Sequence, residues 1–248
     1  MSVLAFDTAT PRYPRGLAVA ILLAAFAAIA GALLAASHPS PAWHWLHWLG
    51  KPLATVLIFV LAWQSRPAQS PRYRRLVLAG IACSLLGDVL LMLPGDLFVP
   101  GLLAFLCGHL CFIAAFTGDC RFAARPWLLL ATLGFGAVNM VLLWDAIGPA
   151  LRMPVIVYVV VLASMGGQAL VRARVLAQRG DPQAPAARLA AIGGLTFMLS
   201  DCLLAWNRFD GPLPWSSLWV LAAYYLALWW IARSVQRVGS PIVTEAAK

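Results

Sequence analysis

Leu76-Val77-Leu78-Ala79-Gly80-Ile81-Ala82-Cys83-Ser84-Leu85-Leu86-Gly87-Asp88-Val89-Leu90-Leu91-Met92-Leu93-Pro94 is a run of nineteen residues with one charge in it. As an α-helix it would cover about 28 Å, close to the ~30 Å of hydrocarbon in a bilayer. Working outward, similar blocks recur along the chain. Eight spans are expected, near 17–37, 49–65, 76–94, 100–118, 127–145, 152–171, 188–207 and 214–233. The chain is 62% hydrophobic and 11% charged, whereas soluble domains are nearer half apolar and a quarter charged. The blocks use almost all of the 248 residues, leaving no room for a separate soluble domain. The expected fold is all-α: a polytopic membrane bundle of eight transmembrane helices around an intramembrane polar cavity. A short arm over 1–16 and a tail over 236–248 would flank a helical body over 17–235.

The formal charge of +9 raises nucleic acid as a partner, but the charges are placed for a membrane. With eight spans, fifteen of the eighteen basic residues fall on one side, and only Lys51, Arg152 and Arg208 on the other. The positive-inside rule then puts both termini in the cytoplasm, as in a bacterial-type inner membrane. The basic side is expected to meet anionic headgroups, with membrane lipids as partners and no nucleic acid. The five cysteines fall in or beside spans, which favours packing thiols over disulfides. Oligomeric state is not legible.

Trp43, His44, Trp45, His47 and Trp48 lie in the expected first outer connection, 39–49, and read as an interfacial belt. Gln178 to Arg188, with Gly180, Pro182 and Pro185, reads as a linker before the last two spans. Leu86-Gly87-Asp88-Val89-Leu90-Leu91 is echoed by Leu199-Ser200-Asp201-Cys202-Leu203-Leu204. Each would begin a span–turn–span unit running the same way, so the echo fits a 4+4 repeat; apolar segments also match by chance.

A charge inside a span costs several kcal/mol unless paired or facing a cavity. Asp88 in span three and Asp201 in span seven are such charges. Each lies six residues from the expected outer end of its span, or about 9 Å deep. Lys51, His109, Asn139, Tyr158, Tyr224 and Tyr225 from other spans fall in the same layer, so a shared cavity is expected. Blander roles stand beside this one: Lys51 snorkelling to headgroups, His109 bonding a core carbonyl, Asn139 and the tyrosines joining helices. Asp96, Asp145 and Asp210 read as turn residues. Two carboxylates in one apolar site can divide into an acid and a base, which suits hydrolysis through an oxocarbenium ion or a proton-coupled lipid or small-molecule transporter. No Ser-centred elbow, phosphate-cradling loop or two-histidine zinc pattern is present in the spans, and no metal or cofactor is expected.

Four elements, taken in order, carry a family resemblance: Lys51-Pro52-Leu53, Ser84 to Met92, Phe105-Leu106-Cys107-Gly108-His109-Leu110, and Phe197 to Ala205. Together they resemble the YhhN-like lysoplasmalogenase family of membrane proteins. The resemblance implies hydrolysis of the vinyl ether bond of a lysophospholipid, lysoplasmalogen, to a fatty aldehyde and glycerophospho-ethanolamine or -choline. It implies Asp88 and Asp201 as the acid/base pair, His109 orienting a carboxylate or water, and Lys51 contacting the lipid phosphate. Asn139, Tyr158, Tyr224 and Tyr225 would line the substrate site.

Overall fold

A computed structural model describes residues 15–38 and 40–237. The expected arm, apart from its last two residues, and the tail beyond residue 237 lie outside the described residues. Eight helices follow in order: α1 (Arg15–Ser37), α2 (Pro41–Gln64), α3 (Pro71–Met92), α4 (Phe98–Phe116), α5 (Pro126–Leu142), α6 (Pro149–Gln178), α7 (Ala184–Phe209) and α8 (Ser216–Arg233). Among the described residues there is no strand, only an isolated bridge between Ala68 and Gln236. Five helices, α2, α3, α5, α6 and α7, start with proline in their first two positions. Its fixed φ suits the first turn, and its missing N–H costs nothing there.

By length and composition α1 to α4, α6 and α7 can each cross a membrane. The 17 residues of α5 form a shorter apolar helix. In α8 two tyrosines, three tryptophans and Arg233 dilute the apolar run. Large apolar side chains such as Leu22, Phe26, Leu130, Val141, Met153 and Leu199 stay exposed around the outside. Such a surface suits hydrocarbon rather than water.

Three expectations need correction. The Trp/His segment is not a connection: α2 begins at Pro41 and carries it as two added turns. There His47 Nδ1 meets the Ala28 carbonyl of α1 at 2.9 Å. Pro52 is therefore inside α2 rather than at its start. Likewise α6 continues through Arg172 and Arg174 to Gln178, and α7 starts at Ala184, which shortens the linker to residues 179–183.

Neighbouring helices pair as antiparallel hairpins. A Cβ on Gly50 would lie 2.7 Å from the Ala28 backbone nitrogen, so the α1–α2 approach requires glycine there. The helices α2, α3, α4, α6, α7 and α8 form a ring, closed where α8 packs on α2 and α4 packs on α6. Outside this ring, α1 lies on α2 and α8, and α5 lies on α6.

At the end of the bundle holding the even-numbered connections, Arg172 of α6 is 1% exposed. This corrects the expectation that it meets headgroups. Its guanidinium grips both oxygens of Asp119 at 2.7 and 2.6 Å, donates to Gln69 Oε1 at 2.6 Å, and lies 4.8 Å from the Tyr73 ring centroid. Gln69 in turn donates to the Ser234 carbonyl, and the Tyr73 and Ser234 hydroxyls share a hydrogen bond of 2.8 Å. One arginine thus ties α6 to the α2–α3 connection, the α4–α5 connection, α3 and the end of α8. The planar fork of arginine suits such a many-partnered site.

Removing one partner of a buried charge leaves the other uncompensated. Asp119→Ala is expected to cost ~2–3 kcal/mol and to lower the thermal midpoint of the detergent-solubilised protein by several degrees. Arg172→Lys should cost a similar amount, because it loses the fork. Unchanged midpoints in both variants would show that the network adds nothing to stability.

Candidate active site

A partly open cavity takes residues from every helix from α2 to α8, including α5 outside the ring. Its walls are mainly apolar: Leu102 and Phe105 of α4, Met140 of α5, Val159 and Leu162 of α6, and Leu221 of α8 are among them. Asp88, Asp201, Lys51, Asn139, Tyr158 and Tyr224 all reach this cavity, as do Ser200 and Cys202.

Asp88 is 1% exposed and is held from three sides. Lys51 Nζ lies 3.4 Å from Oδ1. Thr55 donates its hydroxyl to Oδ2 at 2.9 Å, and Tyr224 donates to the same oxygen at 2.6 Å. Lys51 and Thr55 share a face of α2, four residues apart, while Tyr224 reaches across from α8. Every neighbour is a donor or a cation, which satisfies a carboxylate in a dry site. Lys51 is itself buried against Asp88, so it does not snorkel.

Asp201 has a separate set of partners. Tyr158 of α6 donates its hydroxyl to Oδ2. His109 of α4 meets the Tyr158 hydroxyl through Nε2 at 3.0 Å, and the same nitrogen is 3.7 Å from Asp201 Oδ2. Because the Tyr158 hydrogen points to the carboxylate, its oxygen accepts the His109 Nε2–H. The buried Nδ1 then has no partner, and the neutral imidazole with hydrogen on Nε2 is the tautomer that leaves no buried N–H unpaired.

The two carboxylates share no partner. Aromatic rings join their clusters: the Phe197 centroid is 4.7 Å from His109 and 5.5 Å from Tyr224, and Phe105 packs edge-on against both Phe197 and Tyr224. The depth estimate changes too. Asp88 is four residues from the end of α3 and Asp201 eight from the end of α7, so helix ends alone do not give equal depth. What unites them is the cavity wall.

Asn139 faces the cavity and also bonds its neighbours. Its Nδ2 donates to the Phe135 carbonyl at 2.9 Å, and its Oδ1 accepts from Trp206 Nε1 at 2.9 Å and from the Cys202 thiol at 3.1 Å. It ties α5 to α7. Tyr225 packs on Tyr224 at 5.3 Å, away from the cavity wall, with a buried hydroxyl that has no hydrogen-bond partner. Thr55 was not singled out from the sequence, although its i, i+4 relation to Lys51 was readable. All five cysteines are free thiols. Among the described residues no group of three His, Cys, Asp or Glu is placed to hold a metal ion.

An apolar exterior, eight helices and two carboxylates along a mainly apolar cavity define a polytopic helical membrane protein with a chamber inside it. The YhhN family pattern matches residues 46–235, most of the chain, and the chain belongs to this family. It is similar to the human lysoplasmalogenase TMEM86B, 32% identical over 198 residues that cover 80% of this chain and 78% of that one. To the human lysoplasmalogenase TMEM86A it is 30% identical over 167 residues, 67% of each chain. The uncharacterized membrane protein YhhN of Escherichia coli O157:H7 is 35% identical over 109 residues, 44% of this chain and 50% of that one. No solved structure matches.

The Lys51–Asp88 pair makes a measurable claim about stability. Lys51→Met should cost ~3–5 kcal/mol, because it strands a buried carboxylate. Adding Asp88→Leu to it should recover much of that loss in thermal unfolding. Strictly additive losses would mean the two groups do not interact.

Proposed function

We propose that this chain is a lysoplasmalogenase-type hydrolase, cleaving the vinyl ether bond of a lysoplasmalogen to a fatty aldehyde and glycerophospho-ethanolamine or -choline. The observation that carries the reading is the pair of carboxylates in unlike settings along one apolar cavity. The lysoplasmalogenase names of its relatives point to the same substrate class. The helical body over 17–235 would act as one catalytic unit.

The chemistry divides between the clusters. Asp201, in contact with Tyr158 and His109, delivers a proton to the β-carbon of the vinyl ether. The α-carbon and ether oxygen then share a positive charge as an oxocarbenium ion. Asp88, surrounded by donors, faces that charge as a carboxylate. Water adds to the α-carbon and returns a proton to the site, giving a hemiacetal. The hemiacetal hydroxyl then gives up its proton to the site as the glycerol oxygen gains one, and the bond from that oxygen to the α-carbon breaks to release the aldehyde. A dry wall strengthens both electrostatic steps. Tyr158 and His109 act as positioning residues, holding Asp201 and passing its replacement proton. In the orientation implied by the basic residues, both termini are cytoplasmic in a bacterial-type inner membrane, and the cavity occupies the outer half. The broken helices expected of the transporter alternative are not found: α2 and α6 are continuous through Pro52 and Pro154.

Purified protein incubated with lysoplasmalogen should release free aldehyde. Asp88→Asn and Asp201→Asn should each lower kcat about 100-fold or more, in the range for lost acid–base groups. Tyr158→Phe should lower kcat about tenfold with little change in KM, and narrow the pH profile. Aldehyde release untouched by both aspartate variants would end the mechanism. None from the folded wild-type protein would end the substrate assignment.

A further inference from the structure

The fold leaves the lipid headgroup without its expected cation, because Lys51 is spent on Asp88 inside the ring. Two basic residues remain at the end of the bundle bearing the odd-numbered connections: Arg152 and Arg208. Neither lines the cavity, but each touches a residue that does. Phe98, the first residue of α4, and Phe209, the last of α7, line it there and meet edge-to-face at 5.9 Å. The Arg208 guanidinium lies 5.1 Å from the Phe98 ring centroid. Ile147, from the α5–α6 connection, also lines the cavity. Arg152 donates to the Ile147 carbonyl at 3.2 Å and covers the Trp144 ring at 4.3 Å. Leu143, Ile147, Leu151, Phe98 and Phe209 belong to one packed apolar cluster, so both arginines border the same patch.

Arg208 has an exchangeable partner. Its Nη2 is 3.2 Å from Asp96 Oδ1, with the side chains 46% and 76% exposed. An exposed ion pair of that kind contributes little and is easily replaced. Arg152 meets only backbone carbonyls and a ring among the interactions described. A phosphate offers paired oxygens that match the guanidinium fork better than a single solvated carboxylate.

The spacing fits a lysophospholipid. Arg208 is seven residues beyond Asp201, on the same face of α7 and about 10 Å further along its axis. In the lipid, six bonds separate the vinyl ether α-carbon from phosphorus, ~7 Å when extended. A long arginine side chain covers the difference. With the reacting bond at Asp201, the phosphate reaches the Arg208 edge of the mouth, and the acyl-like chain fills the apolar cavity.

We propose that Arg208, aided by Arg152 across the mouth, captures the phosphate of a single-chain phospholipid by displacing Asp96, and so selects phospholipids over neutral single-chain lipids. The site rests on the hydrolase reading for the identity of its lipid, but capture itself requires no chemistry.

The test is equilibrium binding to the detergent-solubilised full chain. One probe is 1-O-hexadecyl-glycero-3-phosphoethanolamine, a saturated ether that vinyl ether chemistry does not cleave. The other is 1-O-hexadecylglycerol, with the same chain and no phosphate. Wild type should prefer the phospholipid about tenfold or more, the value of one charge-assisted contact. Arg208→Gln should remove most of that preference, and Arg208→Gln with Arg152→Gln all of it, with alkylglycerol binding unchanged. Asp96→Asn should tighten phospholipid binding alone. An intact preference in the double variant overturns the proposal. If the double variant binds neither probe, Asp96→Asn decides: no gain in phospholipid affinity overturns it. Displacement of the phospholipid probe by inorganic phosphate at equal concentration would reveal a free-anion site and also overturn it. A protein that shows the preference yet releases no aldehyde from the vinyl ether lipid keeps the headgroup site and loses the hydrolase reading.

Discussion

Hydrocarbon offers no hydrogen bonds, so a carboxylate placed within it must bring its own solvation. Two such groups organise this bundle. Asp88 draws donors from α2 and α8; Asp201 takes a hydrogen bond from Tyr158 of α6, which His109 of α4 in turn supports. With α3 and α7 carrying the acids themselves, these are the six helices that close the ring. Satisfying two buried charges and closing the bundle are therefore one structural problem with one solution. The aromatic wall of Phe105, Phe197 and Tyr224 then keeps the two solvation shells apart while leaving both on the same cavity.

The helix order admits a four-step correspondence between the two clusters. Advancing each helix by four turns α2, α3 and α8 into α6, α7 and α4. That operation carries the Lys51/Thr55–Asp88–Tyr224 cluster onto the Tyr158–Asp201–His109 cluster. It carries Pro52 inside α2 onto Pro154 inside α6, and the outer helix α1 onto the outer helix α5. The correspondence agrees with the sequence echo around the aspartates. It stops at chemistry: one half supplies a lysine and the other a histidine, so the two acids live in different environments.

Much of this was legible in the sequence because membrane insertion writes itself in long apolar runs. The number of helices and the placement of both aspartates on the cavity wall follow from run length and from the cost of a buried charge. The convergence of Lys51, His109, Tyr158 and Tyr224 on the two aspartates follows in part from the same cost. Boundaries were less legible. Tryptophan and histidine are as compatible with a helix end as with an interfacial loop, so the start of α2 went unseen. Arg172 was hidden for a similar reason: an arginine just past an apolar run looks the same whether it reaches headgroups or turns inward to Asp119. Which partner Lys51 chooses, and that Tyr225 turns away from the cavity, depend on helix rotation. Hydropathy carries little information about rotation in a helix that is apolar on every side.

The Arg172 network has a consequence for traffic. One end of the bundle is laced together there, with the stacked Phe112 and Phe116 rings beside Tyr73. In the proposed reaction the products would leave by the Phe98–Phe209 mouth or sideways between helices into the bilayer. For the proposed reaction those two exits have opposite solubilities. The aldehyde belongs in the acyl layer and the glycerophospho fragment in water, so phase partition would separate the products as they leave and discourage their reunion. A vessel open to both oil and water would in this way lend the hydrolysis its direction.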